Sequence, residues 1–176
     1  SAMRKWIVWA LLALIILAAA VLRWTGLDWD GYYHFHPDER YIHWVATTIE
    51  WPADWRTAFS PSESTFNPYY WPPDAESAGI GVEQDRPRQF AYGHFPLYLG
   101  VAATKAAGWL GTAVSPFLPS DWFLTTDILN AAGRVEFRHL TVVTRALTGL
   151  FDLGTILFVF LLGRTLFSAE VGLLAA

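Results

Sequence analysis

The feature that most constrains the fold is an uninterrupted apolar segment near the start of the chain. Residues 6–22 read WIVWALLALIILAAAVL, seventeen residues without a charged side chain. As a helix this segment would be ~26 Å long, close to the ~30 Å thickness of the hydrocarbon core of a bilayer. A cleaved signal peptide is the alternative, because small residues follow near its end. Since more apolar segments follow, an uncleaved membrane anchor is the better interpretation.

Two later segments have the length of membrane spans, residues 92–114 and residues 141–164. We therefore predict an all-α, polytopic integral membrane protein fragment with about three transmembrane helices, the first of them within residues 1–23. Residues 165–176 enter another apolar run, and we expect them to begin a fourth segment of a longer protein. No internal repeat is found.

Composition supports a membrane protein. The chain is 53% apolar and only 16% charged, with ten tryptophans, whereas soluble domains carry about 25% charged residues. Tryptophan is enriched where a membrane protein meets the bilayer interface. The net charge of −4 gives no reason to expect nucleic-acid binding. The absence of cysteine excludes disulfides and thiolate metal sites.

Two of the predicted spans contain charged side chains, Lys105 in the second and Asp152 in the third. A lone charge at the centre of a membrane helix costs roughly 2.5–3.5 kcal/mol on insertion scales, which favours a pair between the two spans. The alternative is that Lys105 extends toward the interface while Asp152 faces other helices.

Residues 24–91 form a long, acidic and aromatic segment that we predict to be an extracytoplasmic loop. Within it, residues 37–51 have the pattern of a juxtamembrane amphipathic helix, with Pro37 at its first position. One apolar face at helical spacing is expected to lie on the membrane surface. That face consists of Tyr41, Trp44, Val45 and Ile49.

Basic residues predict the orientation. Arg4 and Lys5 precede the first span, and Arg134, Arg138 and Arg145 cluster before the third. The positive-inside rule places both groups in the cytoplasm. Residues 115–140 are then predicted to be a cytoplasmic linker helix.

The loop begins with a dense ionisable cluster, DWDGYYHFHPDERYIHWV, residues 28–45. Three interpretations compete. Asp38 and Glu39 could merely complement the dipole of a helix that His36 caps. His34, His36 and Asp38 could instead hold zinc or manganese, although no fixed metal-binding spacing is present. The third interpretation is a carboxylate general base at the membrane surface, reached by a lipid-linked donor from the bilayer.

Three motifs in order resemble the GT-C glycosyltransferases. They are HPDERYIHWVATTIEWP, YGHFPLYL and TRALTGLFDLGTILFVFLLGRTLFSAEVGLLAA. The pattern is similar to that of protein O-mannosyltransferases and lipid A aminoarabinose transferases, and most similar to their prokaryotic family 39-like or "YYY" membrane relatives. The resemblance covers nearly the whole chain.

The resemblance implies a multi-pass helical fold in the cell membrane with an active site facing outward. It implies Asp38 as the catalytic base with Glu39 as its acidic neighbour, and it assigns His94 and Arg145 to substrate binding. Phe95 replaces a proline of the family pattern beside His94. We add the cluster's own substrate-binding candidates, which are His36, Arg40 and Tyr33.

The predicted function is transfer of a sugar from a polyprenyl-phosphate donor to an acceptor hydroxyl on the extracytoplasmic side. The expected partners are the lipid-linked donor, an acceptor that is a protein, glycan or lipid, and membrane lipids. We expect no resident cofactor and no metal site, although a divalent metal would suit the cluster. The alternatives are a non-catalytic membrane scaffold or transporter component, or a metal-dependent membrane enzyme using His34, His36 and Asp38.

Overall fold

The structure is a computed structural model that describes residues 2–71, 88–130 and 135–176, with only the backbone for residues 2–4. Residues 72–87 of the predicted loop, the side chain of Arg4, and Arg134 lie outside the described residues. Every regular element in the described part is helical, and no strand occurs there. The prediction of an all-α fold is confirmed.

Five α-helices follow one another in the described part of the chain. They are α1 (Ala2–Trp24), α2 (Pro37–Thr47), α3 (His94–Val114), α4 (Phe137–Leu166) and α5 (Ala169–Ala175). Two short helical turns lie between α3 and α4, a 3₁₀ turn at Ser115–Phe117 and a π-helical turn at Leu124–Ile128.

Among the described residues, two helices are long and apolar enough to cross a membrane. They are Lys5–Trp24 within α1 and Phe137–Leu166, which is all of α4. Only 11% of the apolar window of each helix is buried, so their apolar surfaces face outward, unlike those of a helix in a soluble core. Helix α3 forms where the second span was predicted, but it is not one of the two. The count of about three spans stays a prediction.

The chain divides into two compact units. Unit 1 comprises Ser1–Trp29 and Thr144–Ala176, and unit 2 comprises Asp30–Val143. In unit 1, α1 and α4 run antiparallel. The indole nitrogen of Trp24, at the end of α1, donates to the carbonyl of Ala146. Near the start of α1, the ring of Trp9 lies 5.6 Å from that of Phe160.

Glycines permit the closest helix contacts of unit 1. A Cβ atom on Gly172 of α5 would lie 2.6 Å from the carbonyl oxygen of Phe160, and one on Gly163 of α4 would lie 2.8 Å from the Cα atom of Gly172. Such distances are far inside van der Waals contact. Small residues at these positions therefore let α5 pack directly on the backbone of α4.

Unit 2 is built around the apolar face of α2. Val45 and Ile49 are buried in a core that also takes in Phe66 from the following loop, Leu97 from α3 and Leu140 from the start of α4. The sequence predicted that this face of α2 would lie on the membrane surface. That prediction is wrong for Val45 and Ile49, because α3 and the loop cover them instead.

The predicted linker helix in residues 115–140 is interrupted. Only its two short turns and the first residues of α4 are helical in the described part, and Leu129 adopts an extended backbone. Pro116 and Pro119 lack the amide hydrogens that a continuous helix needs. The extended stretch also packs closely on α3, since a Cβ atom on Gly111 would lie 3.1 Å from the backbone of Asn130.

Candidate functional site

The acidic pair of the ionisable cluster lies at the start of α2. Pro37 occupies the first turn of the helix, and Asp38 and Glu39 follow it in that turn. Proline costs nothing here because its missing amide hydrogen would have no partner, and carboxylates are favoured at the positive end of the helix. His36 is the N-cap residue, but its side chain makes no capping hydrogen bond. His36 thus occupies the capping position, as the first interpretation has it, but without a bond from its side chain.

Asp38 is an exposed carboxylate that two side chains approach. Tyr92, just before α3, is near Asp38, and its interaction with this carboxylate is the main reason that the pKa of Tyr92 is raised. Nδ1 of His36 lies 3.9 Å from Oδ2 of Asp38. The arrangement orients a carboxylate while leaving it accessible to solvent, which is what a proton acceptor requires.

The other predicted residues of the cluster differ in their surroundings. Glu39 is half-buried and Arg40 is exposed, and both lie in the first turns of α2. Tyr33 is 77% exposed, and its ring stacks on that of Phe35 with 6.0 Å between their centroids. Tyr33 and Arg40 are therefore accessible to a ligand, and Phe35 is an exposed ring that the sequence did not single out.

The other two predicted substrate-binding residues, His94 and Arg145, contact residues outside the ionisable cluster. The ring of His94 packs edge-on against Tyr69 at 5.4 Å and also contacts Phe90, within the aromatic packing of unit 2. Arg145 belongs to unit 1, where it donates to the carbonyl of Leu27 at 2.6 Å. The described structure thus groups His36 with Asp38 and gives His94 and Arg145 packing contacts of their own.

A buried polar network holds the segment that leads into α2. Nδ1 of His34 lies 2.6 Å from the carbonyl oxygen of Tyr32, so this nitrogen is assigned the proton, because a carbonyl can only accept. Nε2 of His34 lies 2.6 Å from Oγ1 of Thr141, whose hydroxyl can donate to it. Nδ1 of His43 lies 3.1 Å from the same oxygen. Both imidazoles are buried.

The backbone of this segment carries a strained conformation. Tyr32 and His34 both have positive φ, 66° and 50°, which side chains other than glycine adopt at a cost of order 1–3 kcal/mol. Such a conformation persists only where surrounding contacts fix it, and the bonds of His34 supply those contacts. The start of α2, with Asp38, therefore follows a firmly held segment.

The histidine network bears on the metal interpretation. Both ring nitrogens of His34 already lie within hydrogen-bond distance of protein oxygens. In the part of the chain that the structure describes, no group of three histidine, aspartate or glutamate side chains is placed to hold a metal ion.

A buried arginine braces unit 2 between α2 and the loop. Nε of Arg88 donates to the carbonyl of Pro68 at 2.8 Å, Nη2 donates to Oγ1 of Thr48 at 3.1 Å, and the guanidinium lies over the ring of Trp44. Burial lowers the pKa of Arg88 to about 10, against the opposing effect of Tyr41. Burial likewise raises the pKa of Tyr41, whose hydroxyl donates to the carbonyl of Gln89.

Sequence reasoning missed Tyr92, Thr141 and Arg88. Each makes its contact with a residue far away along the chain, and no local pattern signals such a contact. The sequence analysis also missed Arg23, which donates a 2.6 Å hydrogen bond to Asp152 within unit 1. The pair of Lys105 with Asp152 stays a prediction.

No protein-family model, curated protein or solved structure matches this chain.

Proposed function

We propose that this chain is the N-terminal part of a membrane glycosyltransferase that moves a sugar from a polyprenyl-phosphate donor to an acceptor hydroxyl. The observation that carries the proposal is the exposed Asp38 carboxylate in the first turn of α2, flanked by His36. The order of motifs and its resemblance to GT-C glycosyltransferases supply the reaction class.

In this function Asp38 is the general base. It accepts the proton of the acceptor hydroxyl as the sugar leaves the phosphate and bonds to the acceptor oxygen. Glu39 keeps negative charge beside the positive charge that develops on the sugar ring. His36, Arg40 and Tyr33 contact the substrates around the base, and the assignment of His94 and Arg145 to substrate binding stays a prediction from the resemblance.

The membrane supplies the donor. Two apolar helices of membrane-spanning length support insertion, and a polyprenyl chain reaches the site sideways through the bilayer. We place the loop that carries Asp38 on the extracytoplasmic side and Lys5 on the cytoplasmic side, following the positive-inside rule.

The antiparallel pairing of α1 with α4 supports a specific crossing pattern. The chain leaves α1 and enters α4 at the same end of the pair, where Trp24 meets Ala146. An even number of crossings must then separate them, whereas the predicted span at 92–114 would be a single crossing. We therefore propose that α1 and α4 cross the membrane and that α3 remains on the extracytoplasmic side. This arrangement keeps Lys5 in the cytoplasm but gives up the predicted cytoplasmic placement of residues 115–140, Arg138 and Arg145, which then lie on the extracytoplasmic side.

Substitution of Asp38 tests the function in the longest native protein that contains this chain. Asp38→Asn keeps the shape and the first-turn position of the side chain but removes the proton acceptor, so release of polyprenyl phosphate from a verified donor should fall by about 10²–10⁴-fold. The matched control is Asp54→Asn, since Asp54 is also exposed and its Oδ1 accepts from the amide of Arg56, a bond that asparagine retains. The control should keep full turnover.

The outcomes separate the alternatives. Normal turnover in Asp38→Asn with loss in Glu39→Gln would move the base to Glu39. Normal turnover in both variants would make the acidic pair a structural helix start and overturn the proposed chemistry.

A further inference from the structure

Several large aromatic side chains of unit 2 remain exposed, and three of them lie around one buried ring. Trp51, Trp55 and Phe59 are 54%, 64% and 66% exposed. We call them the three-ring patch. The ring centroid of each lies within 5.7 Å of the buried ring of Phe66. No two of their centroids can be further apart than twice that distance, so the three rings are grouped around a single buried side chain.

The loop that carries the three-ring patch is firmly held. Nδ2 of Asn67 donates to the carbonyl of Phe59 at 2.5 Å, and the hydroxyl of Tyr98 in α3 donates to the carbonyl of Phe66 at 2.9 Å. The ring of Phe66 also stacks on that of Tyr98 at 4.6 Å. A partner would therefore meet rings that are already in place, and little conformational entropy would be lost on contact.

We propose that the three-ring patch docks unit 2 on the interfacial region of the bilayer that α1 and α4 enter. Both ends of unit 2 continue directly into these apolar helices, at Asp30 and at Val143. This covalent attachment at two points keeps the unit at a high effective concentration next to the lipid surface. A weak apolar contact is then sufficient for docking.

The chemistry of the three-ring patch fits the interface rather than the bilayer interior. Indole combines a large apolar ring with one N–H donor and is enriched at the level of the lipid headgroups. The charges between the rings, Asp54 and Arg56, cancel. The contact therefore needs no anionic lipid, and neutral phosphatidylcholine is an adequate surface. The three-ring patch thus makes the membrane contact that was predicted for the apolar face of α2. That face is buried in the core of unit 2.

The absence of cysteine makes a direct test possible. A single Thr57→Cys substitution between Trp55 and Phe59 carries an environment-sensitive fluorophore in the whole chain, with one copy per phosphatidylcholine nanodisc. A second label at the exposed Gln89, through Gln89→Cys, is the comparison. Quenching by nitroxide lipids labelled near the headgroup should be at least about threefold stronger at position 57, because the rings partition into that layer.

Two double variants then separate the patch from exposed aromatics in general. Trp55→Ser with Phe59→Ser should abolish the extra lipid quenching at position 57. Trp122→Ser with Phe123→Ser removes two aromatic side chains of similar exposure, 48% and 52%, and should leave that quenching unchanged. The single variants Trp55→Ser and Phe59→Ser give partial losses if the double variant unfolds.

Three results would overturn the proposal. One is equal lipid quenching at the two labels, and another is strong quenching of the label at position 57 by aqueous iodide. The third is a label shielded from iodide but not quenched by lipid, which would mean that protein covers the patch.

Discussion

The two units distribute their large side chains in opposite ways. In unit 1 the helices touch through small residues such as Gly163 and Gly172, while large apolar side chains face outward. In unit 2 the interior holds Phe66, Phe90 and the buried polar network of His34. Burial of apolar surface from water stabilises unit 2, whereas close backbone approach stabilises unit 1, where lipid would solvate the outward side chains.

This difference also changes what a polar side chain does. In unit 1, Arg23 and Asp152 form an ion pair at the end of α1, with both side chains partly exposed. In unit 2, Arg88 and the two histidines lie inside and bond mainly to backbone carbonyls and threonine hydroxyls. Polar groups inside unit 2 therefore fix its loops onto its helices.

The largest expected effect concerns the side of the membrane on which unit 2 lies. If only α1 and α4 cross, cysteines introduced by Ser62→Cys and Ser120→Cys should react with an impermeant maleimide from the same side of sealed vesicles. Glu170→Cys at the start of α5 should react only from the other side. The readout is all or none, because each position is either exposed to the reagent or protected.

A three-span topology gives the opposite pattern for one position. With a crossing at 92–114, Ser62 would remain extracytoplasmic while Ser120 became cytoplasmic. Reaction of the two positions from opposite sides would therefore overturn the two-crossing arrangement and restore the three-span prediction.

Local sequence rules predicted the starts of elements better than their ends. Helix α2 begins at Pro37 as predicted, because a proline followed by two acids fits a first turn. It was predicted to continue to residue 51 but ends at Thr47. At this end Thr48 directs its hydroxyl to the carbonyl of Val45, and the amide of Glu50 pairs instead with the carbonyl of Thr65. The hydrogen bond between Glu50 and Thr65 depends on how the loop folds back, so no local sequence pattern predicts it.

The candidate site also combines features that neighbouring residues predict with contacts that depend on distant segments of the chain. The position of Asp38 at an exposed helix start follows from its neighbours in the chain. The raised pKa of Tyr92 near Asp38 and the burial of His34 against Thr141 depend on how distant segments pack. The sequence could therefore nominate Asp38 as a base, but it could not separate the accessible Tyr33 from the buried His34.

A smaller effect is expected from the helix contact of unit 1. Gly172→Ala places a methyl group 2.6 Å from the carbonyl oxygen of Phe160, so α5 must move away from α4. Overpacking of this kind costs about 1–3 kcal/mol in the free energy of unfolding. Denaturation in mixed detergent micelles measures this cost, and faster amide hydrogen exchange in residues 169–175 should accompany it.

Gly154→Ala is the matched control for Gly172→Ala. It lies within the same apolar helix as Phe160, but a Cβ atom there meets nothing within 4 Å. Alanine should be neutral or stabilise α4 by up to about 1 kcal/mol, since it favours the helix over glycine. Equal losses in the two variants would mean that glycine serves the helix backbone and not the contact with α5.

The smallest expected effect tests the polar bracing of unit 2 with two adjacent threonines. Thr47 and Thr48 each donate a 2.7 Å hydrogen bond to the carbonyl three residues earlier, but only Thr48 also accepts from Arg88. Thr48→Val removes that acceptor and leaves a second nitrogen of a buried guanidinium without a partner, beside Nη1, which has none among the described residues. Thermal unfolding should show a loss about 1–2 kcal/mol greater for Thr48→Val than for Thr47→Val, the lower part of the ~1–3 kcal/mol cost of an unsatisfied buried donor. Equal losses would mean that water replaces the threonine hydroxyl, and that the packing of Arg88 on Trp44 is what holds the loop to α2.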